Sequence, residues 1–198
     1  DLFDQRQFPE YLVPIVTEIR PTYLFVDEIG SGKNGQAYKI ESRSTAHHYC
    51  LKTISQLVKD IGERERIRKT LEKEVLILRS LSHRCLPRIY EHNLGGSLPY
   101  YVCTFHPGIT LEKFRKGKKT LKLEEAVYII ASLIDAIEYL HAKGRTHCDL
   151  HQNNILLSER GFAEGLMIID FGSGHRDSDV APTTPDRGHL AFKDVRGQ

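Results

Sequence analysis

Two periodicities divide this chain. Short runs rich in β-branched and aromatic residues, Tyr23 to Ile29, Gln36 to Glu41, Tyr49 to Ile54, Arg88 to Asn93 and Tyr100 to Phe105, read as strands. The last two are joined through Gly95-Gly96. Glu63 to Ser82 instead repeats Ile67, Leu71, Leu78 and Leu81 at helical spacing. Thr110 to Lys116 reads as a short helix capped by Thr110, with Glu112 in its first turn. Leu123 to Ala142 is apolar almost all round, the pattern of a helix that belongs in an interior, and Gly144 supplies its stop. Before the first strand, Asp1 to Pro21 carries Phe8, Leu12, Val13, Ile15 and Val16, broken by Pro9 and Pro14. Proline does not sit inside a regular helix, so this segment reads as an extension packed on the next element.

Composition adds bounds rather than a function. A chain of 198 residues with 40% hydrophobic residues can bury a core, in one domain of two lobes or in two small ones. Twenty-eight Lys and Arg against 26 Asp and Glu leave a net charge of +2, which gives no electrostatic case for nucleic acid or an acidic membrane. The basic runs, Arg64 to Lys73 and Lys113 to Lys119, read as solvated faces. No apolar run spans a bilayer and no signal-peptide pattern opens the chain, so the expected location is a cytosol. Cys50, Cys85, Cys103 and Cys148 lack metal-ligand spacing and are expected as reduced thiols.

Chemistry enters at three places. Gly30-Ser31-Gly32-Lys33-Asn34-Gly35 lies between two strands, and glycines let backbone amides approach a phosphate that a Cβ would obstruct. A dinucleotide fold would place a helix after these glycines, whereas Gln-Ala-Tyr-Lys-Ile continues as strand. Lys52 lies in the third strand, and Glu74 falls within the apolar stripe of the following helix. A carboxylate on a buried face needs a partner, and Lys52 is the obvious one; Glu72, about 160° away on the helical wheel, is the second choice. Thr146 to Leu157 packs polar side chains between two apolar anchors, with Asp149 and Asn154 five apart and Asp170 following in Ile-Ile-Asp-Phe-Gly. Two carboxylates and an amide make an oxygen-rich site suited to magnesium and a phosphate-bearing partner.

His147-Cys148-Asp149-Leu150 with Asn154, followed by Asp170-Phe171-Gly172, resembles the catalytic loop and metal-binding turn of the protein kinase family. The resemblance implies a bilobal α+β fold: residues 1–22 an extension, 23–106 an N-lobe of five antiparallel strands and one helix, and 107–198 a reduced, mainly helical C-lobe. It implies ATP and Mg2+ as cofactors. Asp149 would accept the substrate hydroxyl's proton, and Asn154 and Asp170 would hold magnesium. Lys52, oriented by Glu74, would hold the phosphates. Ile29, Gly30, Ser31, Gly32, Lys33, Asn34, Gly35, Ala37, Cys50, Cys103, Thr104, Phe105 and His106 would surround the nucleotide. Ala37 replaces the usual Val and Cys50 the usual Ala, and Cys103 to His106 would be the hinge, with either Cys103 or Thr104 guarding the back of the pocket.

The implied activity is phosphoryl transfer to protein Ser or Thr hydroxyls. His151 stands where kinases of that class carry Lys, and Asp-Leu-His also resembles small-molecule kinases such as those acting on aminoglycosides; a nucleotide-binding scaffold is a third reading. Cys148 replaces the arginine that reads activation-segment phosphate, which implies activity without that switch. Thr184-Pro185-Asp186 and Leu190-Ala191 faintly resemble the peptide-binding segment. The helices that usually follow are absent, which suits either a truncated chain or a minimal kinase of the kind some bacteria deliver into a host cytosol. The helix from Leu123 to Leu140 then needs another cover: Asp1 to Arg20, the tail, or a partner chain.

Overall fold

Alternation along the early strands builds a single sheet. The computed structural model describes residues 8–32, 35–55, 57–117, 121–158 and 165–176, and divides into two units: residues 1–76 with 88–105, and residues 77–87 with 106–198. The chain therefore changes unit between Phe105 and His106, within the expected hinge, and residues 77–87, assigned by sequence to the first lobe, belong to the second unit. Lys33 and Asn34, and the trace of a peptide-binding segment at 184–191, lie outside the described residues.

In the first unit, strands β1 (Tyr23–Gly32), β2 (Gly35–Ser42), β3 (His48–Thr53), β4 (Ile89–Asn93) and β5 (Tyr100–Thr104) form an antiparallel sheet of order β1-β2-β3-β5-β4. Along β2, Gln36, Tyr38, Ile40 and Ser42 are buried while Ala37, Lys39 and Glu41 are half-buried, the period-2 signature of a sheet with two unlike faces. Register places Tyr38 opposite Leu51 and Leu51 opposite Val102, so these share one face; Ala37, Lys52 and Tyr101 share the other.

Each face has its helix. The N-terminal extension forms α1 (Val13–Ile19), with Pro14 in the first turn, where its missing N–H costs nothing. Leu12, Ile15 and Ile19 are 0–2% exposed in the sheet's core, Tyr11 meets Tyr38 with ring centroids 6.0 Å apart, and the Tyr100 hydroxyl lies 3.1 Å from Glu18 Oε2. Helix α2 (Ile61–Leu78) contributes Ile67, Leu71 and Val75 to the same core and serves the Lys52 face. It begins two residues before the expected start, because Asp60 Oδ1 accepts from the Glu63 N–H at 2.7 Å.

The second unit holds β6 (Gly108–Thr110), α3 (Leu111–Gly117), α4 (Leu123–Ala142), β7 (Arg145–Thr146), β8 (Ile155–Ser158), β9 (Leu166–Ile168) and β10 (His175–Arg176). Strands β6, β8 and β9 make a small sheet in that order, and β7 pairs with β10. Helix α4 keeps the bounds expected for it, and Gly144 closes it at φ +61°. Its interior placement is overturned. Glu125, Ile129, Ser132, Ala136 and Leu140 form its one buried stripe, whereas Leu123, Val127, Ile130 and Ile134 are 51–77% exposed. Glu125 tolerates burial because it accepts from the Lys122 N–H at 3.0 Å. Among the described residues of the extension, Leu12, Ile15 and Ile19 are taken up by the first unit's core, with Phe8, Tyr11 and Val16 packed against it. No helix among the described residues is long and apolar enough to cross a membrane.

Candidate active site

The first unit supplies a buried cation and a glycine turn. Lys52 Nζ donates to Glu74 Oε2 at 2.7 Å, with the lysine side chain 17% and the glutamate side chain 2% exposed. Glu74, not Glu72, is thus the partner, as its place in the apolar stripe implies. Tyr101, opposite Lys52 in the β3–β5 ladder, carries its ring 5.9 Å from Nζ. Burial, with the Glu74 charge behind it, holds that phenol well above the ordinary tyrosine range. Sequence reasoning missed Tyr101. Its signal was the two-residue step to Cys103, which puts both side chains on the Lys52 face once the register is known.

The glycines differ in kind. Gly35 has φ +132°, and a Cβ there would lie 2.2 Å from the Thr53 carbonyl oxygen, so the turn into β2 requires glycine for the fold itself. Gly30 and Gly32, paired with Ala37 and Gly35 across the hairpin, would meet nothing within 4 Å. Open space over two exposed glycines leaves their backbone approachable, as a phosphate lid needs. Ile29 and Ser31 are exposed beside them.

Further along the Lys52 face, Cys50 stands directly opposite Cys103. Cys103 thus shares the face of Cys50 and Lys52, while Thr104 pairs with Tyr49 and its hydroxyl accepts from the Arg88 N–H at 3.1 Å. Phe105 closes the unit, packed edge-on against His48 and under Lys39 Nζ, 4.9 Å from its centroid. His106 opens the second unit, its Nε2 3.3 Å from the Gly165 carbonyl oxygen.

The second unit supplies the polar loop and turn. His147, 6% exposed, joins them: its Nε2 lies 3.0 Å from the Ile169 carbonyl oxygen, and its Nδ1 accepts from the Asp149 N–H at 3.3 Å. An accepting Nδ1 fixes the proton on Nε2, which donates to Ile169. The ring packs edge-on against fully buried Phe171, centroids 4.5 Å apart. Asn154, also 6% exposed, donates from Nδ2 to the Asp149 carbonyl oxygen at 2.9 Å, while its own carbonyl accepts from the Ile169 N–H. Backbone positions of Asp149, Asn154 and the segment before Asp170 are thereby tied together, and the β7–β10 and β8–β9 ladders hold the two arms.

Among the described residues three non-glycine residues have positive φ, and two, Cys148 at 62° and Asp170 at 66°, lie in this loop and turn. Such backbone costs about 1–3 kcal/mol and persists where the surroundings impose it. Asp149 is left 47% exposed, with His151 Nε2 3.7 Å from its Oδ1. His151 Nδ1 accepts from the Asn153 N–H at 3.2 Å, which puts the proton of the neutral ring on Nε2, facing that carboxylate.

The donor set fits magnesium. With Nδ2 engaged, Asn154 has its oxygen for a cation, and Asp170 adds a carboxylate; two hard oxygen donors suit an ion that completes its shell with water and phosphate.

Comparison with known proteins agrees with this geometry. The family model described as the protein kinase domain matches residues 23–185. The chain is 30% identical over 154 residues to serine/threonine-protein kinase PKH3 of Eremothecium gossypii, covering 77% of this chain and 21% of that protein. It is 30% identical over 166 residues to human death-associated protein kinase 2, covering 82% and 44%, and 31% identical over 144 residues to mouse Aurora kinase C, covering 73% and 50%. The chain thus spans half or less of the length of these relatives.

Proposed function

The chain belongs to the protein kinase family, and from that premise we propose that it transfers the γ-phosphoryl group of Mg-ATP to serine or threonine hydroxyls of protein substrates. The observation that carries this reading is the Lys52–Glu74 pair. A buried ion pair contributes little net stability, because desolvation offsets its Coulomb attraction, so a fold keeps one where a fixed charge is used. Held by Glu74 and flanked by Tyr101, the Lys52 ammonium is a preorganised cation for the α- and β-phosphates. The open space over Gly30 and Gly32 leaves room for a phosphate to approach their backbone.

Magnesium, when bound through Asn154 and Asp170, neutralises phosphate charge and aligns the group in flight. Asp149 accepts the proton of the attacking hydroxyl as its oxygen bonds to the γ-phosphorus and the bond to the leaving ADP oxygen breaks. His147 and Asn154 fix the backbone on which Asp149 rides. His151, beside Asp149, would donate its Nε2–H to the transferring phosphoryl group in the place of a lysine, turning from that carboxylate to do so. The serine/threonine preference is supported by the name of the Eremothecium gossypii relative, a serine/threonine-protein kinase.

The test is transfer of labelled γ-phosphate to proteins of a cell lysate, run beside Asp149→Ala and Asp170→Ala. Labelled bands lost in both variants support the reading. Bands that persist in both, or labelling of added aminoglycosides and simple alcohols in place of proteins, overturn it.

A further inference from the structure

Strands β3 and β5 bring two cysteines face to face. Cys50 and Cys103 are direct partners in an antiparallel ladder whose neighbours, Tyr49 with Thr104 and Leu51 with Val102, hold the register on both sides. Directly opposed residues of such a ladder share a face, with Cα atoms about 4.5–5.5 Å apart, inside the roughly 4.4–6.8 Å that a disulfide accepts. Most buried cysteines are inert packing groups. This pair differs in that Cys50 is only half-buried, Lys52 lies two residues along on its face, and the second thiol is already in register.

We propose that Cys50 and Cys103 are a reversible dithiol site that peroxide converts to a cross-strand disulfide on the Lys52 face of the sheet. The two thiols have unequal parts. The hydrogen bond from Cys103, helped by the Lys52 charge against the cost of burial, pulls the Cys50 thiol below its ordinary range, and the same bond pushes Cys103 well above it. Cys103 Sγ lies 3.7 Å from the Thr104 carbonyl oxygen, its weak acceptor in the reduced state. Cys50, the less buried of the two and next to Lys52 on its face, is the attacking thiolate: its sulfur takes one oxygen from hydrogen peroxide as the O–O bond breaks, giving a sulfenic acid and, with one proton, water. The Cys103 sulfur then attacks the Cys50 sulfur, the S–O bond breaks, and the thiol proton leaves with the oxygen as a second water. Two thiols and one peroxide become one disulfide and two waters.

The consequence for nucleotide rests on the function proposed above: with adenine against Cys50 and Cys103, Mg-ATP covers the pair and slows its oxidation.

The experiment is peroxide treatment of the purified protein, alkylation of remaining thiols, digestion and mass mapping, with and without Mg-ATP. The expected result is a peptide pair linked through Cys50 and Cys103, loss of alkylation at both, and recovery of both after dithiothreitol. In Cys103→Ser, Cys50 should instead be captured as a sulfenic acid by dimedone. Peroxide that leaves Cys50 and Cys103 alkylatable while exposed Cys148 is oxidised overturns the proposal, as does Cys50 linked to another cysteine. Should Cys103→Ser fail to fold, mapping of the parent protein alone decides. A Cys50–Cys103 link that forms equally fast with Mg-ATP supports the dithiol site and overturns the placement of adenine on it.

Discussion

Replacing Lys52 by methionine removes the ammonium 2.7 Å from a carboxylate that belongs to a residue 1% exposed. Breaking a buried pair from one side costs about 3–5 kcal/mol, since the remaining charge loses its counter-ion where solvent does not reach. The double variant Lys52→Met with Glu74→Gln removes both charges at once; its stability should return to within about 1 kcal/mol of the parent. Both variants should lose nucleotide affinity alike, because neither has the cation. The assay is urea denaturation followed by far-ultraviolet circular dichroism and by tyrosine fluorescence, which nine tyrosines and no tryptophan make clean. Coincident transitions justify a two-state reading. A Lys52→Met variant within 1 kcal/mol of the parent, or a double variant as unstable as the single, would refute the claim that the pair is kept for charge placement rather than stability.

The same denaturation assay should separate the glycines: Gly35→Ala costs at least about 2 kcal/mol from its carbonyl clash and positive φ, while Gly32→Ala stays within about 1 kcal/mol. Asp149→Asn, at a half-exposed side chain, should leave the melting temperature nearly unchanged and slow labelled-phosphate transfer by about 10²–10⁴-fold. His147→Leu gives up two hydrogen bonds in a buried place and should cost about 2–3 kcal/mol by urea denaturation. Cys50 has its thiol lowered and Cys85 has its thiol raised by burial, so thiolate appears at Cys50 first as pH rises. Iodoacetamide labelling mapped by mass against pH should therefore reach its midpoint at lower pH for Cys50 than for Cys85, and the reverse order would contradict the unequal environments of the two thiols.

Much of the site was legible because its requirements are local. A glutamate inside an apolar helical stripe demands a cation, and the strand before it offers Lys52; the structure joins them. The strands of the first sheet announce themselves by composition, and α4 by its length and closing glycine. What stayed hidden depends on distant partners. Strands β6, β7, β9 and β10 are two or three residues long and exist only through pairing with remote segments, so they carry no period of their own. Tyr101 needed the β3–β5 register, and α1 was obscured by Pro14, which reads as a breaker until it is seen in a first turn. The bare stripe of α4 is a tertiary fact: Val127 and Ile130 look as apolar as Ile129, and only the neighbours decide which is covered.

Helix α1 has a consequence for where this domain can be cut. Homology to the protein kinase domain starts at residue 23, but folding does not. Leu12, Ile15 and Ile19 are each worth about 1.5–3 kcal/mol of burial, so a recombinant fragment trimmed to the homologous boundary forfeits roughly 5–9 kcal/mol, as much as many small domains possess. Expressed that way, the catalytic segments would all be encoded and the protein would still be expected in the insoluble fraction. The unit of inheritance and the unit of stability differ here by one short helix.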